Sequence, residues 1–253
     1  QVLRQLELKL LHTLRSVRAR RRVFISIDGV APAAKLDVQR SRRASKAMES
    51  ARSQMFDAQN FTPGCLFMGE VEKTIKKLGE KWSRKHGSPE FEFVVSGSGV
   101  KEEGEIKIAR ELALQNQINL GRRLSRAFLT VDSDAFLQAF VYEIPSLFIL
   151  NTQDLKSGQF GCFSGERMRE AFTKIVPNRP SVQLEFALLA IFSGNDCLPA
   201  LPFGGITTIW SRYLEYIRLD GPQRHPFVNK EGMIDFEGIS DFSKFMLEFH
   251  FED

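Results

Sequence analysis

Short apolar runs alternate with longer stretches of helical periodicity through the first 150 residues of the chain. Four runs are typical of buried strands: 23–27, 91–95, 127–131 and 147–150. Helical candidates lie between and around them, at about 35–57, 68–86, 103–119 and 133–141. Because parallel strands need a long crossover between them, this alternation predicts an α/β fold with a mostly parallel central sheet flanked by helices.

Beyond residue 165 the apolar positions recur at helical spacing instead of in short runs. The helical candidates here are about 165–175, 181–193, 206–217 and 236–248. We therefore predict an α/β core over residues 1–155 and a helical part over 156–253 that completes the same domain. The chain begins at Gln1, already inside a helical pattern, so we expect that a natural segment precedes it.

Composition is that of a globular protein without a disulfide framework. The 253 residues are 43% hydrophobic and 26% charged, and no apolar stretch reaches membrane-spanning length, so we expect no membrane partner. The three cysteines are far apart and never in Cys-x-x-Cys spacing, which argues against disulfides or zinc. A reducing compartment follows: the nucleus or cytoplasm first, with the mitochondrial matrix as a further candidate.

The net charge of +4 is too small to indicate a nucleic-acid partner by itself. Any such surface must come from local clusters of cations. The sequence contains three: Arg18–Arg22, Arg40–Lys46 and Arg122–Arg126.

The second of these clusters belongs to a regular stripe of hydrogen-bond donors. Lys35, Gln39, Arg42, Arg43 and Lys46 follow a spacing that puts them on one side of a helix. Several N–H groups on one face are suited to gripping a phosphate. The alternative is an ordinary solvated basic face.

Acidic residues follow the predicted strands, at the edge where open α/β sheets gather their reactive groups. The six candidates are Asp28, Glu103, Glu105, Asp132, Asp134 and Asp196. Any one of them could be a helix cap or a turn residue. Two pairs at i, i+2 exceed what a single cap needs, however, and converging carboxylates would repel unless a divalent cation were bound.

Hard oxygen ligands favour Mg²⁺ or Mn²⁺ over zinc. An acidic metal cluster beside a basic helix is the arrangement of a metal-dependent phosphodiesterase, in which metal ions activate water and stabilise the leaving oxygen. We therefore expect the six carboxylates to converge around one shared centre.

Five ordered motifs together resemble the Xrn family of 5′→3′ exoribonucleases. The matching segments are Asp28–Pro32 with Gln39–Arg43, Phe61–Gly64, Ser96–Ser98 with Glu103–Glu105, Asp132–Asp134, and Gly194–Asp196. The resemblance implies a core related to flap endonucleases and PIN-type nucleases, with the six acids as catalytic and metal-binding residues. It also implies that Lys35, Gln39, Arg42 and Arg43 bind the 5′-terminal monophosphate of an RNA substrate.

The chain departs from the family pattern at several positions, none of which removes a carboxylate. These positions are Ala33, Val38, Lys101, Glu102, Ile106, Ser133 and Cys197. The family's N-terminal segment and the large C-terminal part of its catalytic region have no counterpart here. The leading hypothesis is a Mg²⁺- or Mn²⁺-dependent exoribonuclease that releases nucleoside 5′-monophosphates. The alternatives are an Xrn-like scaffold that binds RNA or a ribonucleoprotein partner without turnover, and a related endonuclease or DNA 5′ exonuclease.

Overall fold

The computed structural model describes residues 1–53, 58–120, 124–132, 134–151, 161–179, 181–195, 197–219, 225–229 and 231–250. The helices are α1 (Val2–Val17), α2 (Ala33–Ser53), α3 (Leu66–His86), α4 (Gly104–Ile118), α5 (Asp134–Tyr142), α6 (Gly165–Ile175), α7 (Val182–Phe192), α8 (Ile206–Leu219) and α9 (Phe236–His250). The strands are β1 (Arg22–Ser26), β2 (Glu92–Ser96), β3 (Arg126–Thr130), β4 (Leu147–Asn151) and β5 (Gly161–Ser164), and a short 3-10 helix spans Ala58–Phe61.

The predicted α/β class is confirmed, with strands and helices in the predicted order. Each of the four predicted strands lies within one residue of its observed bounds. The strand β5 and the 3-10 helix were not predicted from the sequence. The predicted end of α2, at 54–57, lies outside the described residues.

The chain divides into two compact units, and the described residues of the first are those of Gln1–Leu120. In this unit β1 and β2 pair in parallel, with Arg22 opposite Glu92 and Ser26 opposite Ser96. The helices α1 and α3 pack together and cover the sheet. Gly79 makes this possible on α3, because a Cβ there would lie 2.2 Å from the Phe93 ring.

The second unit holds β3, β4, β5 and the helices from α5 to α9. Here β3 and β4 pair in parallel, and β5 is antiparallel to β4. The helical core is aromatic: Tyr213, Tyr216, Phe227 and Phe242 are almost completely buried in one cluster. The prediction that the parts before and after residue 155 form one domain stays a prediction.

No described helix combines the length and the apolar character that crossing a membrane requires.

Candidate metal and phosphate site

The carboxyl end of β1 contacts the first turn of α4, as expected for a site at the edge of a parallel sheet. Asp28 follows β1, and its Oδ1 accepts a hydrogen bond of 2.6 Å from the backbone N–H of Gly104. A side chain at Gly104 would crowd this contact, since a Cβ there would lie 3.0 Å from the same oxygen. The helix N-terminus thus receives a carboxylate, which its macrodipole favours.

Backbone contacts fix this junction on the other side of Asp28. The Gly29 N–H donates to the Glu102 carbonyl at 2.9 Å, and the Glu102 N–H donates to the Val30 carbonyl at 3.1 Å. The approach is so close that a Cβ at Gly29 would lie 1.8 Å from the Val100 carbonyl oxygen. Only glycine fits at position 29 without a backbone shift.

A buried lysine lies beneath the same junction. The Lys107 side chain on α4 donates from Nζ to the carbonyls of Ile27 at 2.8 Å and Gly97 at 3.0 Å. These two carbonyls follow β1 and β2, so one ammonium group ties both strand ends to the helix. Burial lowers the pKa of Lys107, and the nearby carboxylate of Asp28 acts in the opposite direction.

The basic helix α2 contacts this junction through Lys35, the first of its predicted phosphate-binding residues. Lys35 Nζ lies 3.0 Å from Glu103 Oε2, and both side chains are largely buried. Glu103 precedes α4 as its N-cap residue, and Glu105 lies in its first turn. The predicted phosphate-binding helix and the predicted acidic pair are therefore in direct contact.

The other predicted phosphate ligands continue along α2. Arg43 donates from Nη2 to Gln39 Oε1 at 3.1 Å and from Nε to the Gln39 carbonyl at 3.3 Å. Arg42 is adjacent and exposed. The i, i+4 contact shows that Gln39 and Arg43 share one side of the helix, as the spacing predicted.

The remaining acids belong to the second unit or lie outside the described residues. Asp132 follows β3, and its Oδ1 accepts from the Asp134 N–H at 3.0 Å where α5 begins. Asp196 lies outside the described residues. The convergence of all six carboxylates therefore stays a prediction.

The chemistry of this donor set suits a hard divalent cation, since every candidate is a carboxylate. Within the described part of the chain, however, no three His, Cys, Asp or Glu side chains are placed to hold one metal ion together. The described geometry therefore does not form a complete metal site, and we derive no reaction step through a metal.

Two residues that contribute to the junction, Lys107 and Gly104, were not predicted from the sequence. Lys107 on a helix looks like an ordinary solvated residue, and only its tertiary contacts reveal that it is buried. Gly104 stands between two acids, and this close spacing was a usable signal, because a glycine at a helix start permits close approach of another chain segment.

Comparison with known proteins identifies the family of the chain. Residues 1–153 match the family described as XRN 5′-3′ exonuclease N-terminus. The chain is 24% identical to 5′-3′ exoribonuclease 1 of Saccharomyces cerevisiae, over 94% of this chain and 18% of that protein. It is 23% identical to 5′-3′ exoribonuclease 1 of Schizosaccharomyces pombe, over 88% of this chain and 20% of that protein. A shorter match, 30% identical over 36% of this chain and 12% of the relative, is to 5′-3′ exoribonuclease 2 of Arabidopsis thaliana.

The chain thus spans about a fifth of the length of the first two relatives. The family match covers five of the six predicted acids and all four predicted phosphate ligands. Because the family match covers more than half of the chain, it establishes that this chain belongs to the XRN 5′-3′ exonuclease family.

Proposed function

We propose that the chain is the catalytic core of a metal-dependent 5′→3′ exoribonuclease that acts on 5′-monophosphorylated RNA and releases nucleoside 5′-monophosphates. The observation that carries the proposal is the three-way junction in the first unit. There the end of β1 contacts the start of α4 through Asp28, and α2 contacts the same segment through Lys35 and Glu103.

Each group in the junction has a distinct role in this proposal. Asp28, Glu103 and Glu105 supply the carboxylates of the first unit, and Asp132, Asp134 and Asp196 supply the others. These acids would hold Mg²⁺ or Mn²⁺, whose chemistry when bound is the activation of water for phosphodiester hydrolysis. The chain's own cations, Lys35, Arg42 and Arg43 with Gln39, hold the terminal 5′-phosphate and so determine which bond lies next to the acids.

The ion pair between Lys35 and Glu103 also favours a second candidate function. It neutralises one of the predicted metal ligands by a cation from the chain itself, at a separation of 3.0 Å. An Xrn-like subunit that binds RNA or a ribonucleoprotein partner without turnover would keep such a pair.

The test is the decay of three RNAs that differ only at the 5′ end: a monophosphate, a hydroxyl or a triphosphate, each with Mg²⁺. The proposal predicts stepwise mononucleotide release from the monophosphate RNA alone. Asp28→Asn should abolish release while keeping an oxygen that accepts from the Gly104 N–H. The matched control is Asp37→Asn on α2, whose side chain is 93% exposed and lies 3.9 Å from Arg40.

Three outcomes separate the candidates. Release that stops in Asp28→Asn and continues in Asp37→Asn supports the exoribonuclease. Tight binding of monophosphate RNA without release supports the scaffold. Equal release from all three RNAs contradicts the assigned 5′-phosphate pocket.

The pocket itself is tested by Lys35→Met, compared with Arg40→Met on the exposed side of the same helix. Loss of a charged phosphate contact should lower the preference for the monophosphate end by about tenfold or more, equivalent to at least 1.4 kcal/mol. The side chain of Arg40 is 84% exposed, so its removal should leave the preference unchanged.

A further inference from the structure

The first basic cluster of the sequence lies at the opposite edge of the β1–β2 sheet from the proposed active site. The helix α1 ends at Val17, and the chain then passes through Arg18, Arg20 and Arg21 into β1. The helix α3 ends at His86, shortly before β2. Both helices therefore end at the amino end of the two parallel strands, whereas Asp28 and Glu103 lie at the carboxyl end.

The contacts place these two helix ends side by side. Leu14 of α1 and Trp82 of α3 are buried in one cluster with Val23 and Phe91 packed against it. The N–H of Glu92 at the start of β2 donates to the Arg21 carbonyl at 2.9 Å. The basic residues of the two helix ends thus belong to one continuous surface, supported from beneath by a hydrophobic cluster.

Six exposed cations form this surface, which we call the amino-end patch. Its members are Arg15, Arg18, Arg20, Arg21, Arg84 and Lys85. Nearby acids reduce the charge only in part. Glu92 is paired with Arg22, and Glu80 and Glu90 are exposed near the α3 end of the patch.

Helix electrostatics account for only part of the patch. A cation in the last turn complements the helix macrodipole, which explains Arg15 on α1 and Arg84 and Lys85 on α3. Arg18, Arg20 and Arg21 lie beyond the last helical turn, where this effect falls off. The helix macrodipole therefore does not account for their charge.

The chemistry of the patch is suited to binding the phosphate backbone of a polyanion in water. Five of the six cations are arginines, whose planar guanidinium groups bind phosphate oxygens in pairs. No large hydrophobic residue is exposed in the described segments 9–29 or 67–99, so nothing on this surface is suited to insertion into a lipid layer.

We infer that the amino-end patch is a second RNA-binding surface, which holds the phosphate backbone of the substrate away from the 5′ end. The choice of RNA as the polyanion rests on the proposed function. The binding itself needs neither turnover nor recognition of a 5′-phosphate.

The test measures binding of an unstructured RNA with a 5′-hydroxyl, across salt concentrations from about 50 to 200 mM. The patch variant carries Arg18→Gln, Arg20→Gln and Arg21→Gln. The control variant carries Arg167→Gln, Lys174→Gln and Arg218→Gln, which removes the same net charge from exposed positions of the second unit. Circular dichroism melting checks that both variants fold.

Each phosphate contact on a single strand contributes about 0.7 to the slope of log K against log salt. The patch variant loses three such contacts, so its slope should be shallower than that of wild type by about 2. The control should keep the wild-type slope. If the patch variant melts early, Arg84→Gln with Lys85→Gln replaces it and should lower the slope by about 1.4.

Equal slopes in the patch and control variants would overturn the inference. Loss of binding to phosphatidylserine vesicles with unchanged RNA binding would also overturn it, in favour of a lipid surface. A chain that shows this slope change but no nucleotide release would contradict the proposed exoribonuclease activity while supporting the patch.

Discussion

At the scale of single residues, the junction depends on two positions whose surroundings allow almost no change. Lys107 is only 6% exposed and connects the ends of β1 and β2. Gly29 lies where the backbone of the segment before α4 passes closest. Neither is expected to touch substrate, so both act through the geometry of their neighbours.

Replacement of Lys107 by methionine should destabilise the first unit. The Ile27 and Gly97 carbonyls would lose a shared donor. The Gly97 carbonyl still accepts from the Val100 N–H at 3.1 Å, so the main loss is at Ile27, where an unsatisfied buried carbonyl costs about 1–3 kcal/mol. We expect Lys107→Met to lower the free energy of unfolding in urea by about 2 kcal/mol or more. The exposed Lys101→Met is the control and should change it by less than about 0.5 kcal/mol. Equal effects of the two variants would contradict the role assigned to Lys107.

Gly29→Ala should destabilise the fold far more than Gly69→Ala, a substitution in the same unit. A Cβ at Gly29 would meet the Val100 carbonyl oxygen at 1.8 Å, so the backbone must move, at about 1–3 kcal/mol. A Cβ at Gly69 on α3 would meet nothing within 4 Å, and alanine is favoured in a helix by up to about 1 kcal/mol. Thermal unfolding should therefore shift downward for Gly29→Ala and not for Gly69→Ala. A downward shift of similar size in both variants would show that the close approach at Gly29 is not limiting.

At the scale of elements, the helical unit is fixed by a buried polar network between α7 and α8. Glu185 is completely buried, accepts from Arg179 at 2.8 Å and also accepts from the Tyr213 hydroxyl. Ser181 donates to the Val228 carbonyl at 2.8 Å and so joins the loop before α9. Burial and the carboxylate of Glu185 raise the pKa of Tyr213, so its hydroxyl stays protonated and can donate.

Removal of Glu185 should leave the buried guanidinium group of Arg179 without its charged partner. We expect Glu185→Ala to destabilise the chain by about 3–5 kcal/mol, as is typical when one half of a buried ion pair is removed. The matched control is Glu215→Ala in the exposed Arg212–Glu215 pair, which should change stability by at most about 1 kcal/mol. Denaturant unfolding of both variants measures the difference. A loss for Glu185→Ala no larger than that of the control would contradict the network's structural role.

The elements themselves could be read from the sequence because hydrophobic periodicity determines them locally. The strand β5 escaped because Gly161–Ser164 is short and mostly exposed, with no apolar alternation to indicate a strand. The proximity of Asp28 to α4 was predictable from strand order, since strand ends in a parallel sheet meet at one edge. The pairing of Lys35 with Glu103 was not predictable, because the sequence assigned them to separate tasks and only tertiary packing brings them within 3.0 Å.

At the scale of the whole molecule, the predicted acids are divided between two compact units. Asp28, Glu103 and Glu105 belong to the first, whereas Asp132 and Asp134 belong to the second. Sequence motifs predict that all of them serve one metal site. The proposed function therefore predicts that Asp28 and Asp132 both contribute to metal binding.

The most direct test is titration of the chain with Mn²⁺, followed by the electron paramagnetic resonance signal of the free ion. Wild type is compared with Asp28→Asn, Asp132→Asn and the exposed Asp37→Asn, none of which changes side-chain size. We expect the first two variants each to weaken Mn²⁺ binding by about tenfold or more, since even supporting residues of metal sites contribute about 10–100-fold. Asp37→Asn should bind like wild type. Unchanged binding in Asp132→Asn, with weakened binding in Asp28→Asn, would contradict the shared site.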